Sequence, residues 1–303
     1  MRPESGYCRP VTLGRIGVWS SAPAVLPTDE VRAGVAAIEE LGYGSLWYPE
    51  GLGREAFSLG ASLLAWTNRI VVGVGIANLY ARDAWAMAAG AEGLGEAYPG
   101  RFVLGIGVSH QPLVERRGHG YGSPVATMHG YLDAMAEARS SQPPPPEPVP
   151  RVLAALGPKM LELAAARSDG AHPYFVPVEH TAQARAILGD GPLLVPEVTV
   201  VLETDPAEAR RLGREFAERY LAMANYRNNL LRLGFEPGEL EGGGSDRLID
   251  AVIAWGDADA VAERIRAHLA AGADHVVVQP LPSGRFCIDQ LTTLAPLLLA
   301  NAP

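Results

Sequence analysis

Lysine is nearly absent from this chain, and cysteine is scarce. Lys159 is the only lysine among 25 basic residues, and the 34 acidic residues leave a net charge of −9. This surplus of negative charge argues against nucleic acid or an anionic membrane surface as a partner. The two cysteines, Cys8 and Cys287, lie far apart and form no spacing typical of a metal or redox site.

Targeting segments and long apolar runs are also missing from the sequence. The first twenty residues contain no apolar core of a secretory signal, and no apolar stretch is long enough to span a membrane. We therefore expect a cytoplasmic protein. For its assembly we keep a homodimer as an option. At 303 residues, of which 48% are hydrophobic, the chain can bury a large core, and we expect one domain over residues 1–303.

Short apolar runs alternate with helical patterns along the chain. We predict eight strands, which end near Trp19, Pro49, Asn78, Val108, Leu156, Phe175, Leu202 and Leu281. Eight strands alternating with helices predict an α/β fold of the (β/α)8 TIM-barrel type, whose active site lies at the C-terminal ends of the strands. An open doubly wound sheet is the alternative, although no G-x-G-x-x-G motif opens a helix after the first strand.

Two segments interrupt this alternation. Residues 109–122, after the fourth strand, are mostly polar and are predicted as a long loop. Residues from about 226 to 255 include a Gly-Gly-Gly-Ser run, and we predict that they form an insertion between strands seven and eight. The expected architecture is therefore a single barrel with one insertion.

Two neighbouring predicted strands each carry a face of small residues. These positions are Gly73, Gly75 and Ala77 in strand three, and Gly105, Gly107 and Ser109 in strand four. If the two strands pair, the glycines leave a patch almost free of side chains, on which a flat ring could lie. The alternative is that the glycines let other parts of the protein pack closely.

A short motif marks the turn from strand five into its helix: Gly157, Pro158, Lys159 and Met160. Proline fits the first helical position and leaves the amides of Lys159 and Met160 free, and free amides at a helix N-terminus bind phosphate. A lysine there opposes the helix dipole unless an anion is bound. The motif predicts a phosphate site, and an ordinary helix start with a solvated lysine is the alternative.

Other strand ends carry side chains that could transfer a proton. They are Glu50, Tyr80, His110 and His172. A single histidine in such a place is more often a structural hydrogen-bonding group than a catalyst. His110 and His119, with Glu115 between them, lack any familiar zinc spacing, so we expect no metal.

Five segments of the chain carry a resemblance to a known family: 14–19, 44–50, 73–78, 99–107 and 156–160. They are similar to the luciferase-like monooxygenase superfamily, and more closely to its actinobacterial branch of deazaflavin (coenzyme F420)-dependent oxidoreductases. The resemblance implies that the insertion helps to cover a flavin-like ring, and that bound F420 exchanges hydride with a small organic substrate. An FMN-dependent monooxygenase, or a cofactor-binding protein with little turnover, remains an alternative.

The resemblance also implies roles for individual residues. A non-prolyl cis peptide bond, here between Gly75 and Ile76, lies against the ring, and the 157–160 loop takes the cofactor phosphate. The other expected cofactor contacts are Asn78, Gly107, Ser109 and His172, and the expected catalytic residues are His110 and Glu50.

One departure from the family pattern bears on the substrate. In the family's sugar-phosphate dehydrogenases an Asp-His pair ends strand two and a Glu ends strand four. Here the matching positions are Glu50, Gly51 and His110. The acid of strand two is kept, but its histidine is lost and the strand-four acid is replaced by an imidazole. The resemblance therefore argues against a sugar-phosphate substrate, and it leaves His110 as the expected proton donor or acceptor.

Overall fold

Short buried runs form a parallel sheet in the computed structural model, which describes residues 11–300. The strands are β1 (Ile16–Trp19), β2 (Ser45–Tyr48), β3 (Val71–Val74), β4 (Ala77–Asn78), β5 (Phe102–Gly107), β6 (Arg151–Leu153), β7 (Gly170–Ala171), β8 (Leu193–Leu194), β9 (Glu197–Leu202), β10 (Ile253–Gly256) and β11 (Val276–Pro280). Nearly all of their residues are buried, as expected when helices cover the outer face of a parallel sheet.

Helices follow most of these strands. They are α1 (Ala22–Val25), α2 (Thr28–Glu40), α3 (Ala56–Ala65), α4 (Ala84–Ala97), α5 (Gln111–Arg116), α6 (Pro124–Glu137), α7 (Pro158–Arg167), α8 (Val178–Leu188), α9 (Pro206–Leu221), α10 (Ala224–Arg232), α11 (Asp246–Val252), α12 (Ala258–Ala270) and α13 (Ile288–Leu299). Aspartates cap two of the helix starts: Asp205 accepts from the amide of Ala207, and Asp257 from that of Ala260. Within residues 11–300, none of the helices is long and apolar enough to cross a membrane.

The sheet closes through β8 and β9, which together act as one bent barrel strand. The pairing runs in the order β11, β1, β2, β3, β5, β6, β7 and β8, and β9 pairs with β11. The bend keeps both ladders intact: the Val195 amide donates to Ala171 at 2.9 Å, and the Val277 amide donates to Pro196 at 3.1 Å. The predicted (β/α)8 barrel is confirmed.

Several details differ from the sequence-based prediction. The fifth and sixth strands end at Leu153 and Ala171, before the predicted Leu156 and Phe175, and the seventh is divided into β8 and β9. The third strand is divided into β3 and β4 at the peptide bond between Gly75 and Ile76, which is cis as the resemblance implies. The predicted loop 109–122 was wrong in part, because α5 forms there and anchors itself through Val114, which is fully buried. The 226–255 segment contains a further strand, β10, which pairs with the C-terminal half of β9. A role for this segment as an insertion stays a prediction.

Buried side chains fill the inside of the barrel below its mouth. Trp47 is fully buried there, and its indole N–H donates to Ser45 at 2.9 Å. The Ser45 hydroxyl lies 2.6 Å from Nε2 of His275, whose Nδ1 lies 3.0 Å from the Gly14 carbonyl oxygen. This satisfied polar network lies at the N-terminal ends of β1, β2 and β11, and it holds the Trp47 indole in place inside the barrel.

Candidate active site

The glycine faces of the third and fourth strands are covered mainly by the protein's own side chains. A Cβ added to Gly107 would lie 2.5 Å from Cδ1 of Ile76, and one added to Gly73 would lie 2.4 Å from the Trp47 ring. For these glycines the structure therefore favours the close-packing interpretation. Gly75 differs, because its Cβ would meet two polar ring nitrogens: Nε2 of His172 at 2.8 Å and Nε1 of Trp19 at 2.9 Å.

His172 places an unpaired imidazole nitrogen beside Gly75. Its Nδ1 lies 2.6 Å from the carbonyl oxygen of Val195, and since a carbonyl only accepts, Nδ1 carries the proton and donates. Nε2 is then an acceptor, and it is buried without a partner among residues 11–300. Burial lowers the pKa of His172 to about 4, so the ring is neutral near pH 7. Its stacking on Trp47, with ring centroids 4.9 Å apart, fixes its orientation.

Aromatic side chains close one side of the mouth. The Trp19 indole donates to the carbonyl of Gly75 at 3.2 Å, and its ring lies 5.1 Å from that of Tyr174. The Tyr174 hydroxyl donates to Oε1 of Gln279 at 2.6 Å and lies 2.8 Å from the Tyr220 hydroxyl. Tyr220 belongs to α9, so the chain after β9 supplies a wall of the site. Tyr174 and Gln279 lie next to the predicted strand ends at Phe175 and Leu281, but the sequence gave no indication of Tyr220.

His110 lies at the rim of the mouth, at the start of α5. Its Nδ1 lies 3.2 Å from Oδ1 of Asn225, and its ring lies 5.7 Å from that of Tyr226. Burial lowers the pKa of His110 below its ordinary value, and the hydrogen bond that its Nδ1 donates to Oδ1 of Asn225 opposes that shift. The preceding residue, Ser109, has a left-handed backbone with φ of 56°, which turns the chain sharply from β5 toward the helix.

Glu50 is held by four donors at the end of the second strand. Its carboxylate pairs with both terminal nitrogens of Arg82, one of them at 2.9 Å. It also accepts from the amides of Ala56 at 3.1 Å and Asn78 at 2.9 Å. Only 4% of the Glu50 side chain and 9% of the Arg82 side chain are exposed. With these contacts Glu50 anchors the rim, and Asn78 is held there by the same carboxylate.

The 157–160 motif forms the predicted helix start, with one correction. Gly157 is the N-cap of α7 and receives no side-chain hydrogen bond, and Pro158 occupies the first turn. The amide of Met160 is not free, because it donates to the Gly157 carbonyl at 3.1 Å in a tight first turn. Within residues 11–300 the amide of Lys159 donates to no group. Of the two amides predicted to be free, only that of Lys159 is therefore open to an anion. The Lys159 side chain is exposed.

One buried acid in the barrel was missed by sequence reasoning. Glu197 is 1% exposed; it accepts from the Thr199 hydroxyl at 2.6 Å and from the Phe175 amide at 3.1 Å. Burial raises the pKa of Glu197 to about 7, against the effect of both hydrogen bonds. The signal was the alternation in the seventh predicted strand, which places Val195, Glu197 and Thr199 on one face.

These observations define a class of protein: a closed parallel (β/α)8 barrel with polar groups around its C-terminal mouth, where active sites of this fold lie. A family model for luciferase-like monooxygenases matches residues 10–275, and the chain belongs to that family. The match extends over most of the barrel. The family resemblance inferred from the five sequence segments is confirmed.

The chain aligns with about half the length of its curated relatives. The 5,10-methylenetetrahydromethanopterin reductase of Methanolobus tindarius is 30% identical over 149 residues, 44% of this chain and 46% of that protein. A Mycobacterium tuberculosis protein with the provisional name coenzyme F420-dependent oxidoreductase is 29% identical over 196 residues, 53% of this chain and 54% of that protein. The structure of an F420-dependent secondary alcohol dehydrogenase with an F420-acetone adduct has a TM-score of 0.75 at 15% identity, covering 94% of this chain and 99% of that chain. This last likeness establishes the fold alone.

Proposed function

We propose that this chain is an F420-dependent oxidoreductase that transfers hydride between the cofactor and a small organic substrate. The names of an aligned relative and of a similar structure support this choice of cofactor. The observation that carries the proposal is the unpaired Nε2 of His172 beside Gly75 at the mouth. A flavin-like ring carries N–H groups, and one of them could donate a hydrogen bond to this acceptor. The missing Cβ of Gly75 leaves room for the His172 and Trp19 rings beside it.

The residues around the mouth fit such a ring and its phosphate. His172, Gly75 and Ile76 would contact the ring, with Asn78, Gly107 and Ser109 near it. The phosphate would lie at the start of α7, where the Lys159 amide is open. A bound deazaflavin supplies hydride transfer without activating oxygen. The protein then has to position the substrate and move one proton, and His110 is the group at the rim that can do so.

An FMN-dependent monooxygenase on the same barrel is the second candidate. The description of the family as monooxygenases favours it, and the ring contacts proposed above do not distinguish the two cofactors. A cofactor-binding protein with little turnover is a third, from a different functional class. Purified protein titrated with each cofactor, and then assayed for turnover, separates the three.

Deazaflavin should quench the tryptophan fluorescence of this protein at lower concentrations than FMN does. Trp19 should report the binding of either cofactor, because its indole donates to Gly75, beside which the ring would lie. The preference for deazaflavin is expected from the name of the aligned F420-dependent relative. Fluorescence titration with each cofactor measures the two affinities. Trp19→Phe should lose most of the quenching, whereas Trp85→Phe should keep it, because Trp85 is 55% exposed on α4. Tighter FMN binding, or FMN bound to the protein as purified, would reverse the order of the two candidates.

Lys159→Ala should weaken cofactor binding by about two- to fivefold, the range expected of an exposed charge at a helix terminus. Lys159→Glu should weaken it further, because it places a negative charge beside the phosphate. Glu162→Ala is the matched control: it lies one turn further along α7, is exposed, and should leave the affinity unchanged. Equal affinities in all four proteins would make the 157–160 motif an ordinary helix start.

A further inference from the structure

The helix α9 carries four arginines, and one of them, Arg219, has no acidic partner. The other three pair with aspartates or glutamates close to them: Arg210, Arg211 and Arg214. Arg219 forms no ion pair within residues 11–300, although Glu215 precedes it by four residues, a usual spacing for such a pair. Its exposed guanidinium instead lies over the Tyr220 ring, 5.2 Å from the centroid, and donates to the Tyr220 hydroxyl at 3.1 Å. The wall of the mouth therefore carries a positive charge that no acidic side chain of the described residues neutralises.

Two of the tyrosine hydroxyls beside Arg219 have no hydrogen left for a ligand. Tyr174 donates its only hydroxyl hydrogen to Oε1 of Gln279, because a carbonyl oxygen can only accept. In the 2.8 Å contact between Tyr174 and Tyr220, Tyr220 must therefore be the donor. The oxygen of Tyr220 accepts from Arg219. The hydrogen bonds thus run in one direction, from Arg219 through both tyrosines to Gln279.

Tyr226 is the third tyrosine of this wall, and its hydroxyl hydrogen is free. The hydroxyl makes no hydrogen bond with any residue between 11 and 300. Tyr226 is only 7% exposed, but its hydroxyl is not sealed from solvent as Nε2 of His172 is. Burial raises the pKa of Tyr226 well above its ordinary value, and the charge of Arg219 opposes that rise, so the guanidinium lies near the hydroxyl. Near neutral pH, Tyr226 is therefore a protonated, unused donor beside a positive charge.

The ring of Tyr226 connects these two donors to His110. Its centroid lies 5.2 Å from that of Tyr220, over which Arg219 lies, and 5.7 Å from that of His110. His110 is the group proposed to transfer the proton. A ligand bound by Arg219 and Tyr226 would therefore lie on the side of the mouth where the substrate reacts.

We propose that Arg219 and Tyr226 bind a carboxylate of the organic substrate. A carboxylate only accepts hydrogen bonds, and its two oxygens can take one from the guanidinium and one from the free hydroxyl. A guanidinium is well suited to this planar anion, and such charge-assisted hydrogen bonds are the stronger kind. The aromatic rings of the same wall would cover the apolar part of the substrate. The inference rests on the proposed function, because it takes the bound anion to be the molecule that exchanges hydride with F420.

Calorimetric titration of the full chain with benzoate and with benzamide, in the presence and absence of F420, tests the proposal. The two probes have nearly the same shape, and only benzoate carries a charge. At pH 6 benzoate is ionised, whereas Glu197, the acid near these tyrosines with a pKa of about 7, is mostly protonated and repels it little. Wild-type protein should bind benzoate at least about tenfold more tightly than benzamide, since hydrogen bonds to a charged group are stronger.

Three variants assign the preference to the proposed residues. Arg219→Gln should weaken benzoate binding by about ten- to a hundredfold and change benzamide binding much less. Tyr226→Phe, which keeps the ring, should weaken benzoate binding by about two- to tenfold through the loss of one hydrogen bond. Arg211→Gln is the matched control: it makes the same change about two turns earlier on α9, where Arg211 pairs with acidic side chains, and should leave both affinities unchanged.

Other outcomes overturn the proposal. Equal affinities for benzoate and benzamide would do so, and so would unchanged benzoate binding in Arg219→Gln, an exposed substitution expected to fold normally. If Arg219→Gln weakens F420 binding and benzoate competes with F420, the guanidinium binds the cofactor and not the substrate. A protein that binds no F420 but shows the Arg219-dependent preference for benzoate would contradict the proposed function and still support the carboxylate site.

Discussion

His110→Gln should lower turnover by about 10²–10⁴ while changing cofactor affinity little. That range is the usual contribution of a general acid or base to rate. Glutamine keeps much of the shape of histidine and can still bond to Asn225, but it cannot supply an acidic proton. Steady-state kinetics give the loss in kcat, and a cofactor titration gives the affinity. His129→Gln is the matched control, because His129 is exposed on α6 and pairs there with Asp133.

The pH dependence of turnover should carry the ionisation of His110. Burial lowers the pKa of His110, so the ionisation should appear below pH 6.5. In the direction that protonates the substrate, His110 acts as imidazolium, and kcat should fall as pH rises through that pKa. In the opposite direction the neutral ring accepts the proton, and kcat should rise through it. His110→Gln should lose this ionisation in both directions.

Two results would contradict the assignment of His110. Loss of cofactor binding in His110→Gln would make the imidazole a contact of the ring. Unchanged turnover in His110→Gln would mean that another group transfers the proton, or that no group of the protein does. His172 is a poor substitute as a donor, since its pKa of about 4 keeps it neutral and its only N–H is bonded to Val195.

Glu50→Gln should lower the free energy of unfolding by about 3 kcal/mol, because it removes one partner of a buried ion pair. Arg82 would stay buried with only the half-exposed Glu55 as a charged partner. Denaturant unfolding measures the change. Glu55→Gln is the comparison variant: Glu55 contacts the same arginine from a half-exposed position and also caps α3, so its loss should cost about 1 kcal/mol, less than that of Glu50.

The Glu50→Gln variant also distinguishes a structural role of Glu50 from a catalytic one. If Glu50 anchors the rim, Glu50→Gln loses stability, and what activity remains should show an unchanged pH profile. If Glu50→Gln keeps wild-type stability but loses turnover, the carboxylate is a catalytic group, as the sequence predicted. The four donors around it make the first outcome the expected one.

The barrel and the place of its mouth were determined by the sequence alone. Buried strands and amphipathic helices have different periods, so the alternation of apolar runs defines the order of elements locally. The helix α7 begins at Pro158, as the 157–160 motif predicts. The family resemblance added the position of the Gly75–Ile76 peptide bond, which no periodicity signals.

Only the tertiary structure decided which residues contact the side chains at the strand ends. Asn225 lies 115 residues from His110 in sequence, and Arg82 lies 32 residues from Glu50, yet each pair is in contact. The glycine faces looked open in sequence, but the side chain of Ile76 covers Gly107. Local patterns define which face a residue occupies, whereas the partner on that face depends on how distant loops and helices pack across the mouth. That packing makes Glu50 an anchor and leaves His172 and Asn229 with unpaired nitrogens.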